Sequence, residues 1–146
     1  MLLALASLLC PALSQAQGRL ERVGQLGGPS IAVAASPGRA YLGVGPRLLV
    51  FDVSDPSNLR LLGQTDVLPD IALSLDVEAD FAYAAAGYSG LLVIDVRNPE
   101  APAHIGGCDT PDRAWDLDVF ESFAYVASGG GGLQVIDVSD RPIPCA

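Results

Sequence analysis

The sequence predicts an all-β fold built from repeated four-stranded units, and three observations carry that expectation. The stretch GLLVIDVRNP at residues 90–99 has close copies at residues 47–56 (RLLVFDVSDP) and 132–140 (GLQVIDVSD). Tyr41, Tyr83 and Tyr125 stand 42 residues apart each time, while Asp52, Asp95 and Asp137 stand 43 and then 42 apart. Between these anchors, short apolar runs alternate with punctuation rich in Gly, Pro and Asp. A period of that length with strands inside it matches one β-propeller blade. About three blades of four antiparallel strands are expected, over residues 30–70, 71–112 and 113–146, giving a partial propeller or half of a ring.

The second unit shows the elements most clearly. Leu73, Leu75 and Val77 alternate with Ser74 and Asp76, the period-2 pattern of a half-buried strand. Residues 78–80 are polar and turn-like, and residues 81–86 give a second strand. Residues 87–90 offer a hairpin turn, matched by the glycines at 129–132 in the third unit. Residues 91–96 are almost continuously apolar, as expected of a strand covered on both faces. Arg97-Asn98-Pro99-Glu100 then matches Ser54-Asp55-Pro56-Ser57, where Asn or Asp before Pro favours a turn. A fourth strand follows at residues 104–107, matched by residues 61–64 in the first unit.

The segments AYAAAG…GLLVIDVRNP and AYVASG…GLQVIDVSD resemble the LVIVD repeat, a β-propeller family of bacterial and archaeal surface and secreted proteins. The resemblance covers roughly residues 31–144 and is strongest in the second and third units. The first unit departs from it, with Ser36-Pro37-Gly38-Arg39 at the first corner and Gly45-Pro46 where the others carry more glycine. What the resemblance implies is an all-β propeller on an exported protein, with no catalytic residues to carry over.

Residues 1–16, MLLALASLLCPALSQA, read as a secretory signal peptide cleaved after Ala16. The apolar run is shorter than the roughly 20 residues of a membrane-spanning helix, so no membrane insertion is expected after cleavage. The expected location is secreted, periplasmic or cell-surface. Cys108 and Cys145 then remain in a compartment that permits disulfides, and sequence leaves open whether they pair. Seventeen carboxylates face eight basic residues, all arginine, for a net charge of −9. That balance excludes the basic footprint that nucleic acid requires and disfavours anionic membranes.

The ends of the repeat raise the question of closure. Residues 22–26 (RVGQL) resemble residues 61–65 (LLGQT), so residues 17–29 are expected to supply an outer strand with no blade of its own, while the third unit stops before its own. Propellers close with about four to eight blades. Two expectations follow: a homodimer in which each N-terminal strand completes the partner's last blade, or a piece of a larger propeller that has lost units.

Candidate functional residues are few. No catalytic set of nucleophile, base and orienter is visible, and His104 is the only histidine. Trp115 is the leading binding candidate, because the other units carry Ile31 and Leu73 there, with Asp112 and Arg113 beside it near the expected channel mouth. Asp116 and Asp118 project from one face of an innermost strand. With Asp76 they are weak candidates for a hard cation such as Ca2+, though no self-contained calcium loop is present. Asp52, Asp95 and Asp137 recur once per unit and are expected to cap the following turn. The expectation is a binding or structural module for a protein or surface glycan; the alternative is a fragment of a propeller enzyme whose site spans further blades.

Overall fold

A computed structural model describes residues 20–25 and 27–140; the expected signal peptide and Cys145 lie outside the described residues. The first blade comprises β1 (Ala32–Ser36), β2 (Arg39–Gly43), β3 (Leu48–Asp52) and β4 (Arg60–Gln64). The second comprises β5 (Ser74–Glu78), β6 (Phe81–Ala85), β7 (Leu91–Asp95) and β8 (Ala103–Cys108). The third has β9 (Ala114–Phe120), β10 (Phe123–Ser128) and β11 (Gly132–Asp137). Each sheet is antiparallel with its strands in chain order, four, four and three among the described residues. The expected all-β architecture of propeller blades is therefore present, as an open partial propeller.

The departures of the first unit have local causes. Its β2 to β3 turn closes with the Val44 amide donating to the Arg47 carbonyl at 3.0 Å, with Gly45 at φ 53°. In the second blade the Ala86 amide donates to the Gly90 carbonyl at 2.8 Å, one residue wider. That extra residue is why the aspartates stand 43 and then 42 apart while the tyrosines keep 42. At the first corner, Pro37 precedes Gly38 at φ 73°, a Pro then left-handed residue turn. The other blades place the left-handed residue one position earlier, at Ala79 (φ 52°) and Glu121 (φ 56°), where a Cβ is strained.

The recurring aspartates hold the exit turns. Asp52, Asp95 and Asp137 accept the amides two residues on, from Ser54, Arg97 and Ser139, at 3.0, 3.0 and 2.9 Å. Asp52 also meets Arg60 at 3.1 Å, and Asp95 meets Arg97 at 2.5 Å. These bonds hold all three carboxyls below the usual carboxylate range: the Ser54 hydroxyl leads for Asp52, the Arg97 guanidinium for Asp95 and the Ser139 hydroxyl for Asp137.

The apolar cores lie between blades. Tyr41, Leu48 and Val50 on the front of the first sheet pack against Leu75, Ala82, Ala84 and Ile94 on the back of the second. Tyr83, Leu91 and Val93 on the front of the second pack against Leu117, Ala124 and Val126 on the back of the third. Small alanines on each back face make room for the tyrosine opposite. β7 is covered on both faces, with Leu91, Leu92, Val93 and Ile94 all buried, as its unbroken apolar run predicts. β11 carries the same motif with one face open, so Leu133 and Val135 are exposed.

Residues 20–25 form no strand. Among them Gly24 lies against the outer corner of the first blade, where a Cβ would overlap the Pro56 carbonyl oxygen.

Three substitutions test this packing and these turns. Tyr83→Ala is expected to cost about 3–5 kcal/mol, the range for emptying a large buried aromatic site, whereas Ala79→Gly is expected to gain about 1 kcal/mol by relieving the left-handed backbone; urea midpoints moving in opposite directions check both. The depressed carboxyls add stability that is fully present above their unfolded value, about pH 4, and lost as pH falls through their lower folded values. Asp95→Asn is therefore expected to be less stable than the parent at pH 7, with the gap narrowing as pH falls from about 4 towards 2. A gap that stays constant in acid unfolding curves would remove the turn-capping account.

Candidate functional site

The loops entering β5 and β9 meet the β6 to β7 and β10 to β11 turns at one end of the molecule. Where β9 begins, the Ala114 amide donates to the Gly87 carbonyl at 2.8 Å and the Gly87 amide donates back at 3.1 Å. This pair of bonds ties the turn of the second blade to the first strand of the third. Gly87 adopts φ 54°, and a Cβ there would lie 2.7 Å from Asp70 Oδ2. Only glycine suits both the conformation and the approach.

Asp112 performs the same service one blade on. Its Oδ2 accepts the Gly130 amide at 2.6 Å and its Oδ1 the Arg113 amide at 2.7 Å. The Ser128 hydroxyl donates to the Asp112 carbonyl at 2.8 Å and accepts its amide at 3.1 Å, while Thr110 Oγ1 donates to that carbonyl at 2.7 Å. The Arg113 and Gly130 amides hold the Asp112 carboxyl below the usual carboxylate range. The glycine run at residues 129–132 is thus a turn clamped by an aspartate, and Asp112 positions the residues beside it.

Those residues are Arg113 and Trp115, which the structure brings together as the sequence suggests. The Arg113 guanidinium lies 4.2 Å from the centre of the Trp115 ring and 5.6 Å from that of Tyr88. Its Nε is buried with no hydrogen-bond partner among the described residues. The two rings remain open to solvent, Tyr88 at 75% and Trp115 at 52%. A cation flanked by two aromatic faces is held by the ring quadrupoles and fixes both rings in place.

Sequence reasoning did not single out Tyr88. The signal was available: by strand register its place is taken by Pro46 in the first blade and Gly130 in the third. Arg113 likewise stands where Ile71 does, and Trp115 where Leu73 does. Three positions that break the repeat therefore meet at one point.

Tyr88 also lines a cavity of about 350 Å3 with Pro69, Ser89, Leu92, His104 and Asp109 among its walls. Ser89, His104 and Asp109 share that cavity, but no hydrogen bond joins any two of them, so no nucleophile is held against a base. Cys108, also in its wall, is disulfide-bonded, and the other two cysteines lie outside the described residues.

The remaining candidate carboxylates go elsewhere. Asp76 Oδ2 accepts the Val119 amide at 2.7 Å, stapling β5 to β9, and Asp116 Oδ1 accepts the Ser74 hydroxyl at 2.5 Å. Asp118 shares the open face of the third blade with Tyr125, lining a shallow hollow of about 160 Å3. Among the described residues, no three His, Cys, Asp or Glu side chains are grouped to hold a metal ion. No helix among them is long and apolar enough to cross a membrane.

The comparisons with known proteins agree with this architecture. No curated protein matches the chain. The computationally designed Ika8 protein is a similar solved structure, with a TM-score of 0.62 at 14% identity, over 75% of this chain and 33% of that one. At that identity the likeness is one of fold, and the chain spans about a third of that protein's length. The LVIVD repeat pattern matches three times, at residues 27–67, 70–110 and 112–145, once per blade. Because those matches take in most of the sequence, the chain belongs to the LVIVD repeat family.

Proposed function

We propose that the chain is a binding module of an exported protein, acting at the cell surface or in the periplasm, and that it takes a surface glycan on the platform of Tyr88, Arg113 and Trp115. The observation that carries this reading is the meeting of three repeat-breaking side chains at one solvent-open point. Positions that recur in every blade serve the blade, as the aspartates at the exit turns do. Positions that depart from the pattern together serve something outside it.

The chemistry favours a neutral, hydroxyl-rich partner. Sugar rings present C–H faces that stack on aromatic rings, and Arg113 pins both rings so that little side-chain freedom is lost on binding. Asp109 in the adjoining cavity offers a carboxylate to accept hydroxyl protons. A net charge of −9 disfavours acidic partners. The cavity beside Tyr88 falls within the size range of small-ligand sites. Export is supported by the apolar leader ending at Ala16 and by the disulfide at Cys108.

Trp115 is the only tryptophan, so its fluorescence reports the platform directly. A panel of neutral oligosaccharides is expected to contain members that shift or quench this emission, and Tyr88→Ala or Arg113→Ala to weaken those responses by about tenfold or more, the worth of one good stacking contact. An unchanged emission across the panel, with a protein partner captured equally well by parent and Trp115→Ala, would overturn the glycan reading. Expression in an exporting bacterial host is expected to yield a protein whose first residue is Gln17, checked by N-terminal sequencing.

A further inference from the structure

We propose that a second copy of this chain seats the front of its third blade against the back of the first blade, head to tail, and that two such junctions close a six-bladed ring. Three independent observations point to the same occupant.

The first is that side chains central to the internal junction recur exposed at the two ends, although Phe51, on the back of the first blade, is 5% exposed. Tyr41 and Tyr83 face a following blade and are 1% and 0% exposed, whereas Tyr125, in the same register, is 36% exposed. On the opposite faces Leu75 and Leu117 are each 8% exposed beneath a preceding blade, while Val33, in their register position, is 64% exposed. The front of the third blade and the back of the first are thus the two halves of a packing mode the chain already uses twice.

The second observation is polar. Asp76 reaches across a junction to the Val119 amide. Asp118 opposes Tyr125 as Asp76 opposes Tyr83, and its carboxylate accepts no hydrogen bond from the described residues. The position of Val119 in the first blade is Ala35, which opposes Ala40 as Val119 opposes Ala124. Head-to-tail seating brings Asp118 of one copy to the Ala35 amide of the other.

The third observation concerns residues 22–25. In β4, a Cβ on Gly63 would lie 2.6 Å from the Pro99 carbonyl oxygen, because this outer strand packs against the exit turn of the next blade. Gly24 likewise packs on the exit turn of the first blade, meeting the Pro56 carbonyl, where Gly63 meets both the Pro99 and the Glu100 carbonyls, and Val23-Gly24-Gln25 matches Leu62-Gly63-Gln64 in sequence. Residues 22–25 therefore already occupy the place of an outer strand belonging to a preceding blade. The third blade has only three strands among the described residues, with β11 at its outer edge. Once the second copy is seated, residues 22–25 of one chain lie along β11 of the other and supply its fourth strand. Two copies of the three described blades make six, inside the range of closed propellers, while three copies would make nine, outside it.

The mass of the purified chain in solution, measured across a concentration series by sedimentation or light scattering, tests this. The expected result is a single species of twice the chain mass. Val33→Glu and Val135→Glu are each expected to raise the dissociation constant by at least about tenfold, with strand content by circular dichroism unchanged because both side chains are exposed in the single copy. Asp118→Ala weakens the dimer while leaving all apolar contacts in place. Mixing the two glutamate variants restores a pair, since one of its two junctions is then intact. A monomer, an open series of higher masses, or a dimer indifferent to Val33→Glu would each overturn the proposal; the last would mean that the two Tyr125 faces meet each other instead.

Discussion

A propeller blade cannot stand alone, because each of its sheets is apolar on both faces and each face must be covered. In this chain the cover is always another blade. The rule is asymmetric: the front of a sheet offers a tyrosine with Leu and Val, and the back offers Leu with one or two alanines that make room for the ring. That asymmetry gives the stack a direction, from first blade to third. It also goes with a composition rich in small apolar residues, since the large side chains of one face need small ones opposite them. Two gaps are filled among the described residues, and the proposed assembly rests on the two outward faces of the first and third blades.

The constraint also sorts what could be read from the sequence from what could not. Strand positions and turns were legible because they depend on local pattern: β5 to β8 lie within a residue or so of where alternation and turn chemistry put them. The aspartates at the exit turns were legible for the same reason, since their partners stand two residues away. Asp76 was not. Its alternation with apolar neighbours suggested a carboxylate facing a channel, but its partner is the amide of Val119 in the next blade, and no local pattern records a bond across 43 residues. Tyr125 was illegible in another way. It belongs to the same series as Tyr41 and Tyr83, and only the absence of a following blade among the described residues makes it an open surface.

The proposed site is legible where the repeat fails. Aligning the units draws attention to what recurs, and what recurs is scaffold. Trp115 stands out because its counterparts are aliphatic, but Tyr88 sits inside a turn whose length and glycines match its neighbour's, so the local pattern does not mark it. Its importance appears only when the turn is folded against the next blade and the guanidinium of Arg113 is found between the two rings. Asp112 takes the opposite course. Adjacent to both in sequence, it turns out to be the clamp that sets the loop on which they stand.

The platform and the open faces also differ in what they require. Tyr88 comes from the second blade and Arg113 and Trp115 from the third, and the reciprocal bonds between Gly87 and Ala114 lock those blades together beneath them. All three side chains of the proposed platform therefore come from one chain. The uncovered faces lie on the first blade's back and the third blade's front, on either side of that locked pair. On the two proposals, a change on Val33 or Val135 would act on association without touching the platform, and a change at Arg113 would act on the platform without touching either face. Ring closure would instead act through number: two copies related by a two-fold axis would carry two platforms on the same end of one ring. A repeating polymer could then engage both at once, and the second contact would come at the effective concentration of a tethered ligand rather than of a free one. Assembly would raise avidity for a polymeric glycan while leaving the affinity of each site for a short oligosaccharide unchanged.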